Sequence, residues 1–379
     1  MVVEWIERLS DAFEIHIYSQ NLEDLDVSRF VWHRVSRLPG PHLFNFLWWF
    51  CANRLQRYCD ERSKNIQFDL IFSPGPNCLD ADVVTVHIVF AEFVRRVRSE
   101  LEFKRNPIRL WPRLLHRRIY YQTAMIVERL VYRNSCTQLI LTAPQTAEEI
   151  VRFFGRMEVF PVVSTGLDHN IFNPSRRLSL QKYARESLGV AEGRFLLLLI
   201  GNDWRKKGLG TLLGALEVLS DLPVDLLVVG RDDPAPFLSI IREKSLKLRV
   251  RFLPSIKDVE TYYAAADAYV GPSLEDTFAL PASEAMACGL PIIISARAGA
   301  SALVTDGVDG LILDDPSNVR KLAHLIFLLF DNKELRERLG RNATQTAQKY
   351  TWERSTDELV TVLQQILQRK RELESEIRP

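Results

Sequence analysis

The chain has 379 residues, which exceeds what one hydrophobic core usually organises, so we expect two domains. Its 49 basic and 48 acidic residues give a net charge of +1, which argues against a nucleic-acid binder, because such proteins carry a strong basic excess. The five cysteines contain no C-x-x-C pair, and no signal peptide or membrane-spanning apolar run is visible. We therefore expect a cytoplasmic protein with no metal and no nucleic-acid partner.

The beginning of the chain is unusual for an α/β protein. Apolar residues from Val2 to Leu9 have helical spacing and predict an amphipathic helix, followed by a strand at Glu14–Tyr18. A doubly wound domain usually opens with a strand and a glycine-rich turn ahead of its first helix. Either that strand and turn are absent, or the start of the chain is set too late; we favour the second alternative.

Short apolar runs alternate with amphipathic stretches along the rest of the chain. Runs that are apolar on both faces are typical of parallel strands covered by helices on each side. Two series of such runs predict an α/β fold with two Rossmann-like, doubly wound parallel sheets. The predicted strands are Glu14–Tyr18, Leu70–Ser73, Val83–His87, Gln138–Thr142, Glu158–Val163, Phe195–Ile200, Leu226–Val229, Val250–Phe252, Ala268–Val270, Pro291–Ser295 and Gly310–Leu313.

The polar, turn-forming segment Asn173–Arg177 separates the two series of strands and marks the predicted domain junction. We expect an N-terminal domain over residues 1–172, a C-terminal domain over 173–350 and a closing helical segment over 351–379. Helical spacing of apolar residues is visible from about Asn342 to Glu374.

The segment that points most directly to chemistry lies in the second half. It predicts a buried strand ending near Ser273, a loop over Leu274–Pro281, a helix over Ala282–Cys288 and a further strand. Loops at the carboxyl ends of parallel strands bind ligands in open α/β sheets, and the N–H groups at a helix start attract phosphate. The sequence therefore predicts a ligand site at this loop.

Residues of both charges accompany the predicted loop. Asp276 and Glu284 flank it with seven residues between them, and carboxylates are good acceptors for sugar hydroxyls but poor phosphate ligands. The turn Gly201–Gly208 follows the strand Phe195–Ile200 and contains three consecutive cations, Arg205–Lys207. Fixed cations stabilise a departing diphosphate. Together these residues indicate a ligand that carries both sugar hydroxyls and a diphosphate.

The residues from Pro272 to Pro291 closely resemble the E-x7-E signature of the retaining GT-B glycosyltransferases of family 4. This resemblance implies two Rossmann-like domains facing across a cleft and a nucleotide-diphosphate-sugar donor. Weaker similarities to the same family occur in the expected order at Val84–His87, Val163–Asp168 with Pro174, Lys207–Gly208 and Tyr350–Trp352.

The resemblance also implies roles for individual residues. Glu284 would hold the ribose hydroxyls, Asp276 the hydroxyls of the transferred sugar and Lys207 the diphosphate. His87 would face the sugar near the reaction centre, and the segment around Ile256 would lie by the base. The implied catalytic group is His87, Lys207, Arg205 and Asp276, and the implied donor-binding group is Glu284, Phe278, Ala279, Leu280, Gly208 and Ile256.

Three features depart from the family pattern. Asp276 is one methylene shorter than the usual glutamate, and Asn202 stands where an arginine is expected, so Arg205 is taken as its substitute. The glycine-rich loop of the N-terminal domain is missing from the sequence.

By resemblance, we expect a hexosyltransferase-like enzyme of glycan biosynthesis that retains anomeric configuration and needs neither a metal nor another cofactor. The acceptor would be a glycan, a lipid-linked glycan or a small molecule. Two alternatives stay open: a GT-B sugar-nucleotide epimerase or hydrolase, and a non-catalytic GT-B scaffold that binds a nucleotide or a partner enzyme.

The region Glu92–Arg133 has eleven Lys and Arg residues against four acidic ones, interleaved with aromatic and apolar side chains. This pattern is typical of a solvated helical face. A second hypothesis is a peripheral membrane surface or a groove for an anionic, lipid-linked acceptor, to which Trp48, Trp49 and Phe50 would contribute. The second hypothesis would place the protein at the cytoplasmic membrane surface.

Overall fold

The computed structural model describes residues 2–22, 25–40, 42–97, 111–274, 276 and 278–377. The chain forms two compact units. The first unit comprises Met1–Gly166 together with Trp352–Pro379, and the second comprises Leu167–Thr351. The segment Asn173–Arg177, where we expected a junction, begins a helix, because Asn173 Oδ1 accepts the N–H of Arg176 (2.8 Å) and Pro174 occupies the first turn.

The first unit contains two parallel sheets, one of order β1-β2 and one of order β3-β4-β5. The N-terminal helix packs on the C-terminal helix, and Trp5 Nε1 donates to Ser355 Oγ (2.9 Å). The elements in chain order are α1 (Val2–Leu9), β1 (His16–Ser19), β2 (Val31–Arg34), α2 (His42–Lys64), β3 (Phe72–Pro74), β4 (Val83–Val86), α3 (Phe90–Val97), α4 (Trp111–Tyr132), β5 (Gln138–Leu141) and α5 (Thr146–Phe154).

A cavity of about 470 Å³ lies between the two sheets of the first unit and is lined by residues of β1, β3 and α2. Within the described ranges, β1 pairs only with β2, and β3 pairs only with β4. The expectation of a further strand ahead of α1 stays a prediction.

The second unit is built on one six-stranded, all-parallel sheet of order β11-β10-β9-β6-β7-β8. The central strands are buried on both faces, which explains their continuous apolar sequences. The elements are α6 (Pro174–Ser187), β6 (Phe195–Ile200), α7 (Leu209–Val218), β7 (Val224–Val229), α8 (Ala235–Glu243), β8 (Val250–Leu253), α9 (Glu260–Ala265), β9 (Ala268–Gly271), α10 (Leu280–Ala287), β10 (Ile292–Ser295), β11 (Leu311–Leu313), α11 (Val319–Asp331) and α12 (Lys333–Ala347). The last helix, α13 (Trp352–Ile377), belongs to the first unit.

The predicted α/β class with parallel sheets is confirmed, and three local predictions were wrong. No strand forms at Glu158–Val163; Pro161 lacks an N–H, and only a bridge between Leu141 and Val162 remains. The predicted closing helix is interrupted around Tyr350, between α12 and α13. We did not predict β2, because its side chains are mostly exposed and lack a continuous apolar run.

Candidate functional site

The strand order of the second unit defines where a ligand site can form. From β6 the chain proceeds to β7 and β8 on one side, then crosses to β9, β10 and β11 on the other. The order therefore reverses between β6 and β9, which are direct neighbours. Open α/β sheets bind ligands at such a topological switch point, outside the carboxyl ends of the strands. The loops that leave β6 and β9 are the two that carry the predicted cations and acids.

These two loops meet through both backbone and side chains. The N–H of Leu274 donates to the carbonyl of Lys206 (2.7 Å). Lys207 Nζ forms an ion pair with Asp276 Oδ2, and both side chains are largely shielded, with 17% and 11% of their surface exposed. Two residues that lie 69 positions apart in sequence thus form one charged pair at the switch point.

Glycine at two positions allows this close approach. A Cβ on Gly208 would lie 1.9 Å from the carbonyl oxygen of Pro272, and Gly208 has a φ of +77° at the start of α7. A Cβ on Gly201 would lie 2.8 Å from Cε of Lys207, so glycine leaves room for the lysine stem. The need for glycine at these two positions is thus explained by two neighbours, Pro272 and Lys207.

Asp276 organises the start of α10. Its Oδ1 accepts the N–H of Ala279 (3.0 Å), and Ser273 Oγ lies 3.5 Å from its Oδ2. The backbone carbonyl of Asp276 accepts the N–H of Gly299 (3.0 Å), which joins the loop to the segment after β10. Ala279 itself has a φ of +64°, which is strained for a residue with a Cβ. The acid therefore holds the helix start in place.

Glu284 lies inside α10 and is held by a tyrosine of α9. Tyr263, from α9, is fully buried and donates its hydroxyl proton to Glu284 Oε2 (2.5 Å). Burial raises the pKa of the Glu284 carboxyl above its usual value, and the hydrogen bond from Tyr263 opposes that shift. Only Oε2 is engaged by the tyrosine, so Oε1 is the oxygen of Glu284 that can accept from a ligand. A tyrosine in an apolar helix carries no sequence signal for this contact.

Two residues of the β6 loop contribute differently from the lysine. Asn202 Oδ1 accepts the N–H of Arg231 (2.9 Å), so it links this loop to the one that follows β7. Arg205, our substitute for the expected arginine, has an exposed side chain and takes no part in the Lys207–Asp276 contact. The structure brings Lys207, and not Arg205, to the acid.

The other predicted donor residues lie at the same edge of the sheet. Ile256 follows β8 and is 42% exposed. The carbonyl of Phe278 accepts the N–H of Ala300 (2.5 Å), and Leu280 is the first residue of α10. Of the neighbouring loop residues, Glu275 and Thr277 fall outside the described part of the chain.

His87 belongs to the first unit, directly after β4. Its Nε2 lies 3.1 Å from Thr85 Oγ1, and burial lowers the pKa of His87 to about 4. The imidazole is therefore neutral at pH 7. The role that the resemblance implies for it stays a prediction.

The described residues provide neither a cluster of metal ligands nor a membrane-spanning helix. No group of three or more His, Cys, Asp and Glu side chains within these ranges is placed to hold a metal ion. No helix in the part of the chain that the structure describes has the length and apolar character needed to cross a bilayer.

The fold is that of the GT-B glycosyltransferases. The chain superimposes on WaaG, a glycosyltransferase involved in lipopolysaccharide biosynthesis, with a TM-score of 0.77 at 19% identity, covering 95% of this chain and 94% of WaaG. Sucrose-phosphate synthase from Thermosynechococcus elongatus gives a TM-score of 0.77 at 20% identity, covering 96% and 92%. HepE from Anabaena, in complex with UDP-glucose, gives 0.68 at 18% identity, covering 96% and 94%.

A family model matches most of the second unit. Residues 181–346 match the family model of the glycosyl transferases group 1, so the chain carries a domain of this type. This match includes Lys207, Asp276 and Glu284.

Curated relatives show similarity over part of the chain. A D-inositol 3-phosphate glycosyltransferase from Paenarthrobacter aurescens is 27% identical over 234 residues, covering 59% of this chain and 56% of the relative. Another, from Thermomonospora curvata, is 30% identical over 244 residues, again covering 59% and 56%. The chain thus matches little more than half the length of these relatives.

Proposed function

We propose that this protein is a retaining glycosyltransferase that transfers a sugar from a nucleoside-diphosphate sugar to an acceptor hydroxyl. The observation that carries the proposal is the meeting of Lys207 and Asp276 at the switch point of the second sheet, with Glu284 in the helix that follows. One cation and two acids suit a ligand that offers a diphosphate and two sets of hydroxyls. A nucleotide sugar has these groups.

Each charged residue has a distinct part in the proposed reaction. Lys207 binds the diphosphate and stabilises the negative charge that grows as the glycosidic bond breaks. Glu284 accepts hydrogen bonds from the ribose hydroxyls through Oε1, since Tyr263 engages Oε2. Asp276 accepts from hydroxyls of the transferred sugar. Donor binding then replaces the Lys207–Asp276 ion pair by two ligand contacts.

We also propose that the reaction retains the anomeric configuration of the sugar and needs no metal ion. The acceptor attacks the face from which the diphosphate departs, and the departing phosphate takes the acceptor proton. His87, neutral at pH 7, donates or accepts a hydrogen bond at the sugar without adding charge. Lys207 supplies positive charge at the diphosphate, as a divalent cation does in metal-dependent enzymes. Product anomeric configuration read by NMR, and turnover in a chelator, test these two points.

Binding calorimetry tests the donor site directly. We expect one of UDP, GDP and ADP to bind clearly more tightly than the others, and UDP is the first probe because HepE was crystallised with it. Glu284→Ala should weaken this binding by about tenfold or more, since it removes a charged hydrogen-bond acceptor. Glu243→Ala is the matched control, because Glu243 ends α8 at the opposite edge of the sheet. Equal affinities for wild type and Glu284→Ala would refute the ribose role.

Turnover distinguishes transfer from the alternatives. Nucleoside diphosphate should be released from a nucleotide sugar only when an acceptor is present, and D-inositol 3-phosphate, from the names of the relatives, is one acceptor to include. Release without an acceptor would indicate a hydrolase, and conversion of the donor sugar to its epimer would indicate an epimerase. Tight nucleotide binding without any turnover across acceptors would indicate a scaffold.

A further inference from the structure

The long helix α4 of the first unit exposes an apolar stripe. The stripe consists of five large apolar side chains that are between 42% and 60% exposed. They recur at intervals of four or seven residues, which places them on one face of the helix. These side chains are Trp111, Leu115, Ile119, Ile126 and Leu130. Side chains of α4 that face the opposite way, such as Val127 and Val131, are buried in the core of this unit.

The exposed charged side chains of α4 have one sign. The sequence of α4 contains four arginines and one acidic residue. That residue, Glu128, is fully buried and accepts the N–H groups of Phe90 (2.6 Å) and Ala91 (3.0 Å). Arg129 and, just past the helix, Arg133 are exposed beside Leu130. The exposed face of α4 thus joins large apolar groups to cations and offers no carboxylate.

The neighbouring helix α2 packs on a different face of α4. The rings of His42 and Phe46, near the start of α2, both contact the ring of Tyr120 on α4, at centroid distances of 5.1 and 5.3 Å. The exposed apolar side chains of α2 lie on the opposite face of that helix, at spacings of three and eight residues, and do not join the α4 stripe; they are Phe44, Leu47, Leu55 and Tyr58. Trp48 and Trp49 are only partly exposed, and they donate to the backbone carbonyls of Ser36 and Asn77.

We propose that the exposed face of α4 binds the surface of an anionic lipid bilayer. An apolar stripe bordered by arginines is the arrangement of helices that lie in the membrane interface, where apolar groups enter the acyl boundary and cations meet lipid phosphates. A second copy of this chain fits less well, because a symmetric contact would bring the arginines of one copy against those of the other. This inference does not depend on the proposed transferase reaction.

Vesicle co-sedimentation of the full chain tests this surface. We expect binding to phosphatidylcholine vesicles that contain phosphatidylglycerol, little binding to phosphatidylcholine alone, and a decline with added salt. The combined variant Leu115→Gln, Ile119→Gln, Ile126→Gln should lower the partition coefficient by about tenfold or more, because it removes three apolar groups from the interface. Arg129→Gln with Arg133→Gln should lower it only for the anionic vesicles.

A matched control uses apolar residues that are exposed elsewhere. Met157, Val159 and Leu248 are at least 83% exposed, and replacing them by glutamine should leave vesicle binding unchanged. Circular dichroism and melting temperature check that each variant folds. If the α4 variant misfolds, the proposal can still be tested by how binding of the wild-type protein depends on salt and on the anionic lipid content of the vesicles. Three results would overturn the proposal: no binding to anionic vesicles at low salt, equal binding to neutral vesicles, or a concentration-dependent dimer that the α4 variant abolishes while vesicles bind neither form.

Discussion

Lys207 and Asp276 neutralise each other at the end of two adjacent parallel strands. The pair joins the loop after β6 to the loop after β9, and the N–H of Ala279 reinforces the acid at the start of α10. In the proposed reaction each partner has a different target, a diphosphate for the lysine and a sugar hydroxyl for the acid. The two residues should therefore respond differently to substitution.

Lys207→Ala should weaken nucleoside-diphosphate binding by about tenfold or more, because it removes a charged donor. Asp276→Asn should instead keep or raise that affinity, since the lysine loses its competing carboxylate, while turnover with the sugar nucleotide falls. Calorimetry and a turnover assay measure the two effects. Lys206→Ala is the control, because the Lys206 ammonium pairs with Asp203 (3.0 Å) in the same loop. A parallel loss of affinity in both site variants would contradict the division of roles.

Tyr263→Phe should shift the pH dependence of donor binding. Burial raises the pKa of Glu284, and the Tyr263 hydroxyl counteracts this by donating to the carboxylate. Without the hydroxyl the pKa rises further, so the carboxylate that binds ribose is lost at a higher pH as the solution is acidified. We expect about a threefold to tenfold loss of affinity near neutral pH, measured by calorimetry over a pH series.

Tyr262→Phe is the matched control for this effect, because its hydroxyl donates to the carbonyl of Pro254 (2.8 Å) and not to Glu284. A pH profile of Tyr263→Phe that coincides with that of the wild type would exclude the positioning role.

Gly208→Ala should disrupt the junction of the two loops. Its Cβ would lie 1.9 Å from the carbonyl oxygen of Pro272, and its φ of +77° is unfavourable for alanine. We expect a clear fall in melting temperature together with weaker nucleotide binding. Gly210→Ala, two residues further on, meets nothing within 4 Å and lies in α7, so it should be neutral or raise stability by up to about 1 kcal/mol.

Ala279→Gly should stabilise the second unit. The φ of +64° at Ala279 costs a residue with a Cβ about 1 kcal/mol or more, and glycine adopts it freely. Chemical denaturation should show a gain of roughly 0.5–1 kcal/mol in the free energy of unfolding. Ala282→Gly, inside α10, should destabilise by at least about 0.5 kcal/mol, because glycine is disfavoured within helices. A lower free energy of unfolding in both variants would show that Ala279 is not strained.

Glu128 should make the stability of the first unit depend on pH. Burial raises the pKa of Glu128 from 4.5 to about 7 in the folded protein. The folded state therefore holds this proton more tightly than the unfolded chain, and stability falls as pH rises from 4.5 to 7. The free energy of unfolding of the wild type should fall by on the order of 1–3 kcal/mol over this pH range, and Glu128→Gln should remove this change. Urea denaturation of both forms across this range measures it, and parallel curves would contradict the prediction.

Much of this protein could be predicted from its residues alone. Continuous apolar runs such as Phe195–Ile200 report strands buried on both faces, because only such strands exclude polar residues from both sides. The motif from Pro272 to Pro291 identified the loop and helix of the candidate site. Loops that bind phosphate depend on the local backbone conformation, which is determined largely by residues adjacent in sequence.

Contacts between distant residues were decided only by the tertiary structure. The sequence motif named Lys207, Asp276 and Glu284, but the order of the strands brings the lysine to the acid, and the packing of α9 on the sheet brings Tyr263 to Glu284. The sequence showed basic and apolar residues interleaved along α4, but only the structure shows that its apolar face is exposed, because helical spacing does not tell whether another element covers a face. Side-chain pairing and exposure depend on which elements fold against one another, and that is a property of the whole chain.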